Sequence, residues 1–270
     1  MIKKYLVKML WLSLLLICFG LFVANLVVAM NWLYDGKKIG DEIEETKIPV
    51  FEETGSETIE IINPPKSMTS EYWKYLQMPL MEVDLKSLIK TNSDTVGFIS
   101  IEGTNINYPV VQAKDNDYYL THSFQKKYNQ AGWIFMDYRN KPDFSDPNTI
   151  IYGHSQVDKT MFGTLKNILS SNWLKDKNNY IIRYVTLTET MLFQVFSIYI
   201  IPVESYYIEN TFSSTEYHKN WLKTMVERSE HDFKTEVNEE DKVITLSTCK
   251  GNGNHRVVMQ AKLIKKDQHD

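Results

Sequence analysis

Cysteine is almost missing from this 270-residue chain: Cys18 and Cys249 are the only two. Two thiols build no disulfide scaffold, and no Cys/His set has the composition of a structural zinc site. Neither sign of charge dominates, with 30 basic residues against 34 acidic and a net charge of −4. A duplex-binding protein carries a basic face, and nothing in this balance suggests one. Glycine (11) and proline (8) are too few for a collagen-like or low-complexity chain, and a 43% hydrophobic share excludes wholesale disorder. An ordinary globular composition remains, of one or two domains by length.

Charge is unevenly spread. Residues 1–30 hold three lysines and no acid, leaving 27 basic against 34 acidic side chains in the rest. From Met9 to Met30 the chain reads MLWLSLLLICFGLFVANLVVAM, 22 residues without a charge. About 20 apolar residues at about 1.5 Å each cross a hydrocarbon core. Trp11 near one end, and Trp32 and Tyr34 past the other, stand where interfacial aromatics belong. A signal peptide has a shorter apolar stretch, roughly 7–15 residues, closed by a small-x-small cleavage site. The exit NLVVAMNWLY offers a poor site, so an uncleaved anchor is expected. Lys3, Lys4 and Lys8 before the span are matched by Lys37, Lys38 and Lys47 after it. The positive-inside rule therefore leaves orientation open. Cys18, mid-span, is a small apolar filler, and Cys249 is an unpaired thiol outside the span.

Residues 35–67 carry nine acidic residues and end near Pro64-Pro65, with no sustained helical or strand period. They read as a solvated stalk. Over 69–90 the residues Trp73, Leu76, Leu80, Val83, Leu85 and Leu88 roughly keep helical spacing behind an N-cap at Thr69 or Ser70. Pro79 should break this run into one or two short helices. After that the period becomes two. Apolar runs at 96–101, 107–111, 132–136, 148–153, 180–187, 191–200, 242–249 and 255–263 are separated by turns such as Asp146-Pro147-Asn148 and Gly251-Asn252-Gly253. Eight short strands at this spacing predict a mainly β barrel or sandwich. Two helical inserts are expected, near 160–175 and near 214–230. In the second, Tyr217, Trp221 and Met225 recur every four residues.

The chemistry centres on Cys249. Alternation puts Val243, Thr245, Ser247 and Cys249 on one strand face, and Ile244, Leu246 and Thr248 on the other. The turn KGNGN returns the chain as HRVVMQAKL, so a hairpin brings Arg256 beside Cys249. A guanidinium there favours thiolate and can stabilise an oxyanion. A nucleophilic thiol also needs a proton partner. Among the six histidines, His269 lies in the polar tail, His218 and His231 flank a polar helix and should be solvated, and His122 lies in a polar loop. His255 adjoins Arg256 but alternates to the opposite face. His154 ends the apolar strand NTIIYGH behind Gly153. If that strand pairs in parallel with KVITLSTC, His154 and Cys249 emerge at one edge. Ser247 shares the face of Cys249 and is a candidate substrate contact or else a solvent-facing strand residue. Thr248 and Tyr207 are further candidate substrate contacts, though Tyr206 and Tyr207 also read as surface aromatics.

TLSTC (245–249) followed by Arg256, together with YGH (152–154), resembles the active-site motifs of sortases, the membrane-anchored cysteine transpeptidases of Gram-positive bacteria. The segments 95–120, 132–140 and 152–166, with Met161-Phe162 after the histidine, look like class B members. The likeness covers about residues 69–265 and implies an eight-stranded sortase-type barrel. N-terminal helices, a helix inserted before the cysteine strand and one transmembrane helix would complete it. It divides the chain into a cytoplasmic tail (1–8), an anchor (9–34), a stalk (35–67) and a catalytic domain (68–270), with the N-terminus inside the cell and the enzyme outside. It makes Cys249 the nucleophile, His154 the acid and base, and Arg256 the oxyanion contact. The implied partners are secreted proteins bearing an NPxTx- or xPxTG-like C-terminal motif and an amine of a peptidoglycan precursor or cross-bridge. No cofactor or metal and no nucleic acid enters this reading. Two others compete. A cysteine phosphatase uses Cys-x5-Arg running into a helix N-terminus, whereas the spacing here is Cys-x6-Arg. An anchored binding module would bury Cys249 as a core residue.

Overall fold

The computed structural model describes residues 2–46, 51–52, 59–66, 69–170, 172–250 and 253–268. Helix α1 (Ile2–Thr46) is a single run of 45 residues. Its apolar stretch is exposed throughout and long enough to cross a membrane. Two short helices follow, α2 (Ser70–Leu76) and α3 (Leu85–Thr91). Thr69 caps α2 by accepting the Tyr72 amide, and Asp84 caps α3 by accepting that of Ser87. Pro79 lies between them, as its missing amide requires.

Eight strands make the barrel: β1 (Thr95–Ile101), β2 (Asn107–Val111), β3 (Phe135–Met136), β4 (Asn148–Tyr152), β5 (Ile181–Val185), β6 (Glu189–Pro202), β7 (Val243–Lys250) and β8 (His255–Gln268). Their hydrogen-bonded order is β7-β4-β3-β2-β1-β5-β6-β8, and the β7–β8 hairpin closes the ring. Closure leaves no sheet edge within the ring. Strand β7 is buried on both faces. Ile244 and Leu246 join the main core, while Val243 joins an outer cluster with Phe196, Tyr199, Trp221 and Met225. That outer cluster lies under α4 (Thr215–Arg228), whose N-cap Ser214 accepts the Tyr217 amide. The insert before the cysteine strand thus exists to cover a second apolar face of the barrel wall.

Three expectations need correction. The region near 160–175 forms no α-helix but 3-10 turns at Leu165–Ser170 and Asn172–Lys175. Met161 sits at φ +51, and a Cβ on Gly163 would meet Gln156 O at 2.4 Å, so the chain is folded back before a helix can start. Residues 35–46, expected in the stalk, continue α1 and dock on the domain. Ile39, Glu42 and Thr46 are buried, Ser123 Oγ donates to Glu42 Oε1 at 3.0 Å, and Asn129 Nδ2 donates to Asp35 O at 3.1 Å. The docking face carries only Ile39 and Ile43 as apolar residues beside a buried carboxylate, too few for a sustained period to stand out. Further along, Glu60–Ile61 pairs with β8 and Phe51–Glu52 with Met81–Glu82. Finally, His218 is not solvated. It is buried, 4.1 Å centroid to centroid on Phe212, and burial lowers its pKa.

Candidate active site

Strands β4 and β7 run parallel, with Tyr152 opposite Ser247, and the Gly153 amide extends the ladder to Ser247 O at 3.3 Å. Across the hairpin, Cys249 pairs with Arg256. Parallel register therefore carries His154 to the same barrel end as the backbone of Cys249, and the hairpin carries Arg256 there. The Cys249 side chain and residues 251–252 of the turn lie outside the described residues, as does His269. A pocket of about 210 Å³ opens at this end. His154, Ser247, Thr248 and Arg256 line it together with Asn116, Leu120, Phe135, Tyr152 and Gly153.

Each wall has a local cause. His154 Nε2 lies 2.8 Å from Leu120 O. A carbonyl only accepts, so Nε2 carries the proton and Nδ1 is the basic ring nitrogen. Phe162 N donates back to His154 O at 2.9 Å, and Phe162 is fully buried, which pins the loop after the histidine. Gly153 is required here: a Cβ would meet Ile134 at 2.4 Å and Phe162 at 2.9 Å. Gly132, at φ +62, allows its backbone to pass beside the His154 ring and Leu120 O. Arg256 Nη1 donates to Gly253 O at 2.7 Å and to His255 O at 3.3 Å.

The predicted substrate contacts divide. Ser247 lines the pocket but is not a solvent-facing strand residue; it is 3% exposed. Thr248 also lines it, and its buried hydroxyl has no partner among the described residues. A ligand amide could satisfy that hydroxyl. Tyr207 is neither on the surface nor on the pocket wall. It is buried, with its hydroxyl 3.0 Å from Ser247 Oγ, so it backs the wall. His122 stacks on Tyr118 and bonds Tyr118 O, and exposed His255 occupies the β8 start.

Sequence reasoning missed the groups behind Tyr152. The Tyr152 hydroxyl donates to Asp137 Oδ2 at 2.9 Å, and Arg139 grips the same carboxylate through Nε and Nη2. Arg139 Nη2 also donates to Ile208 O at 3.0 Å, while Asn148 Nδ2 donates to Glu209 O at 2.9 Å. Two side chains thus latch the segment carrying Tyr207 to the barrel. Burial raises the Asp137 pKa, but the bonds from Arg139 and Tyr152 outweigh it and hold the carboxyl below the usual carboxylate range. The only signal was the Asp-x-Arg spacing within 132–140. The strand His255–Gln268 follows Cys249 where a phosphatase would need a helix N-terminus, which removes that reading.

A sortase domain model matches residues 99–264. Sortase B of Listeria monocytogenes is 34% identical over 245 residues, which is 90% of this chain and 96% of the relative. Among solved structures, sortase B from Bacillus anthracis superposes with a TM-score of 0.67 at 34% identity, covering 86% of this chain and 98% of its own. A Staphylococcus aureus sortase B–substrate complex gives a TM-score of 0.63 at 35% identity, covering 67% and 84%. This chain therefore belongs to the sortase family, as a class B cysteine transpeptidase that anchors proteins to the cell wall.

Proposed function

We propose that Cys249 attacks the backbone carbonyl after the threonine of a C-terminal sorting motif, NPxTx- or xPxTG-like, in a secreted protein. The Cys249 thiol gives its proton to His154 Nδ1 as the S–C bond forms; the C–N bond breaks when the tetrahedral state collapses, and Nδ1 passes that proton to the leaving amine. A peptidoglycan amine then attacks the thioester, losing a proton to His154 Nδ1, and the C–S bond breaks as that proton returns to the Cys249 sulfur. Arg256 neutralises the oxyanion in both tetrahedral states. Ser247 and Thr248 contact the peptide, and Tyr207 holds Ser247 from behind.

The observation that carries this reading is the register of three strands, Tyr152 opposite Ser247 and Cys249 opposite Arg256, around one pocket. A sortase B solved with a substrate aligns with two thirds of this chain, which supports a peptide in the same groove. Residues 9–34 are the single-pass anchor, residues 1–8 are cytoplasmic, and the catalytic domain works outside. The test is turnover of fluorogenic motif peptides with an amine acceptor by the native chain and by Cys249→Ala, His154→Ala and Arg256→Lys. All three variants should lose cleavage and transfer together. Full activity in any one removes that residue's role.

A further inference from the structure

We propose that the catalytic domain sits on the bilayer surface, seated by the loops at 128–131 and 156–159 in the lipid headgroup layer. This rests on the reading of residues 9–34 as the membrane anchor. Helix α1 does not end where its apolar run ends but continues to Thr46. Met30 closes the run, and Asp35 O already accepts Asn129 Nδ2. Five residues of helix rise about 7.5 Å. The polar interface on each side of a bilayer is about 5–8 Å deep. The domain's first contact with α1 therefore falls at headgroup depth, and the Glu42 contacts with Ser123 Oγ and Gln125 N fix the domain's tilt against the helix.

The face so placed has the right chemistry. A cleft of about 290 Å³ separates α1 from the domain, lined by Trp32, Leu33 and Lys37 on the helix and by Ala131, Gln156 and Asp158 opposite. At its rim, Val157 is 75% exposed and Tyr128 63%. Val157 stands in a turn closed by Lys159 N donating to Gln156 O, and Lys159 itself is exposed. Single exposed apolar residues are ordinary. Here Val157, Tyr128 and Trp32 gather beside a spanning helix, with Asp35 and Asp158 balancing Lys37 and Lys159, the composition of a surface that enters the interface by its apolar side chains rather than by net charge. His154 precedes Gln156 by two residues, at most about 7 Å of extended chain, and Gln156 Nε2 donates to Ala131 O beside Gly132. The reaction pocket and the seating face thus lie two residues apart on one loop, which holds the pocket close to the membrane surface.

The experiment uses the full chain carrying Cys18→Ser and Cys249→Ala, in phosphatidylglycerol/phosphatidylethanolamine vesicles with nitroxide-labelled lipid. A polarity-sensitive fluorophore is attached through Val157→Cys, through Leu16→Cys in the span, or through Leu187→Cys. Leu187 is exposed in the β5–β6 turn, at the barrel end away from Arg256. Blue-shifted, quenched emission at Val157 and Leu16 but not at Leu187 is expected. Quenching at Leu16 with Val157 behaving like Leu187 would overturn the seating and leave the anchor standing. No quenching at Leu16 would overturn the anchor and the seating together. Adding Glu42→Lys should abolish the Val157 signal and keep that of Leu16. If Val157 stays quenched, docking of α1 is not what seats the face.

Discussion

Arg256 spends its Nη1 donor on the carbonyls of Gly253 and His255, so its guanidinium is held at the pocket by its own turn. Lysine supplies the charge without the fork. Arg256→Lys should lower kcat/KM for peptide cleavage about 10²–10³-fold, the usual cost of one oxyanion donor; an unchanged value would show that the carbonyl oxygen is bound elsewhere. Asp137 makes a second residue-level prediction. Its depressed pKa contributes stability above the unfolded carboxylate value of about 3.9, and this is lost as pH falls through the folded value. Asp137→Asn should therefore destabilise by about 1–3 kcal/mol at neutral pH. The gap to the native chain should close in acid, as followed by denaturant melts across pH. The meeting of His154, Arg256 and the Cys249 backbone at one barrel end was legible because strand ends and one hairpin juxtapose residues by local rules. Asp137 and Arg139 were not, since their purpose depends on Ile208, 69 positions from Arg139.

At the scale of elements, α4 shows why periodicity located the insert but misjudged its histidine. The four-residue spacing of Tyr217, Trp221 and Met225 defines a helix face, and Trp221 and Met225 are buried against β6 and β7. His218 was assigned to solvent because its neighbours in sequence are polar. It is instead enclosed by Phe212, which precedes the helix. Burial disfavours its proton in the fold, with Glu239 and Asp241 pulling weakly the other way and Lys242 reinforcing burial. Since the folded pKa lies below the unfolded value of about 6.5, stability is full above that pH. It declines as pH falls toward the folded pKa. His218→Phe keeps the stack and should flatten the Tm profile over that window; an identical slope in the variant would exonerate His218. The 160–175 segment failed in the opposite way. Its helical composition is overridden by the packing of Gly163 and the left-handed Met161, which only the tertiary fold imposes.

For the whole molecule, the closed ring of eight strands was readable from eight alternating runs, and the helix long and apolar enough to cross a membrane from one uncharged run. The stalk was not. Its acidic composition suggested solvation, yet Glu42 is buried against Ser123, and Ile61 pairs with Lys265 on β8. Composition reports average solvation, not which single carboxylate meets donors. An ectodomain beginning at residue 35 should consequently melt higher than one beginning at 67. Both should cleave peptide, because β7–β8 closes the barrel without those residues. Equal melting temperatures by calorimetry would mean that the docked helix and strand add nothing to the barrel.

The most direct measurement is the intact mass of the ectodomain, residues 35–270, after incubation with a panel of sorting-motif peptides without an acceptor amine. A covalent adduct is predicted on the native chain, equal to the peptide up to and including its threonine. It should be absent in Cys249→Ala and discharged by an added amine. Cleaved peptide from Cys249→Ala, or an adduct mapped to another residue, would contradict the account.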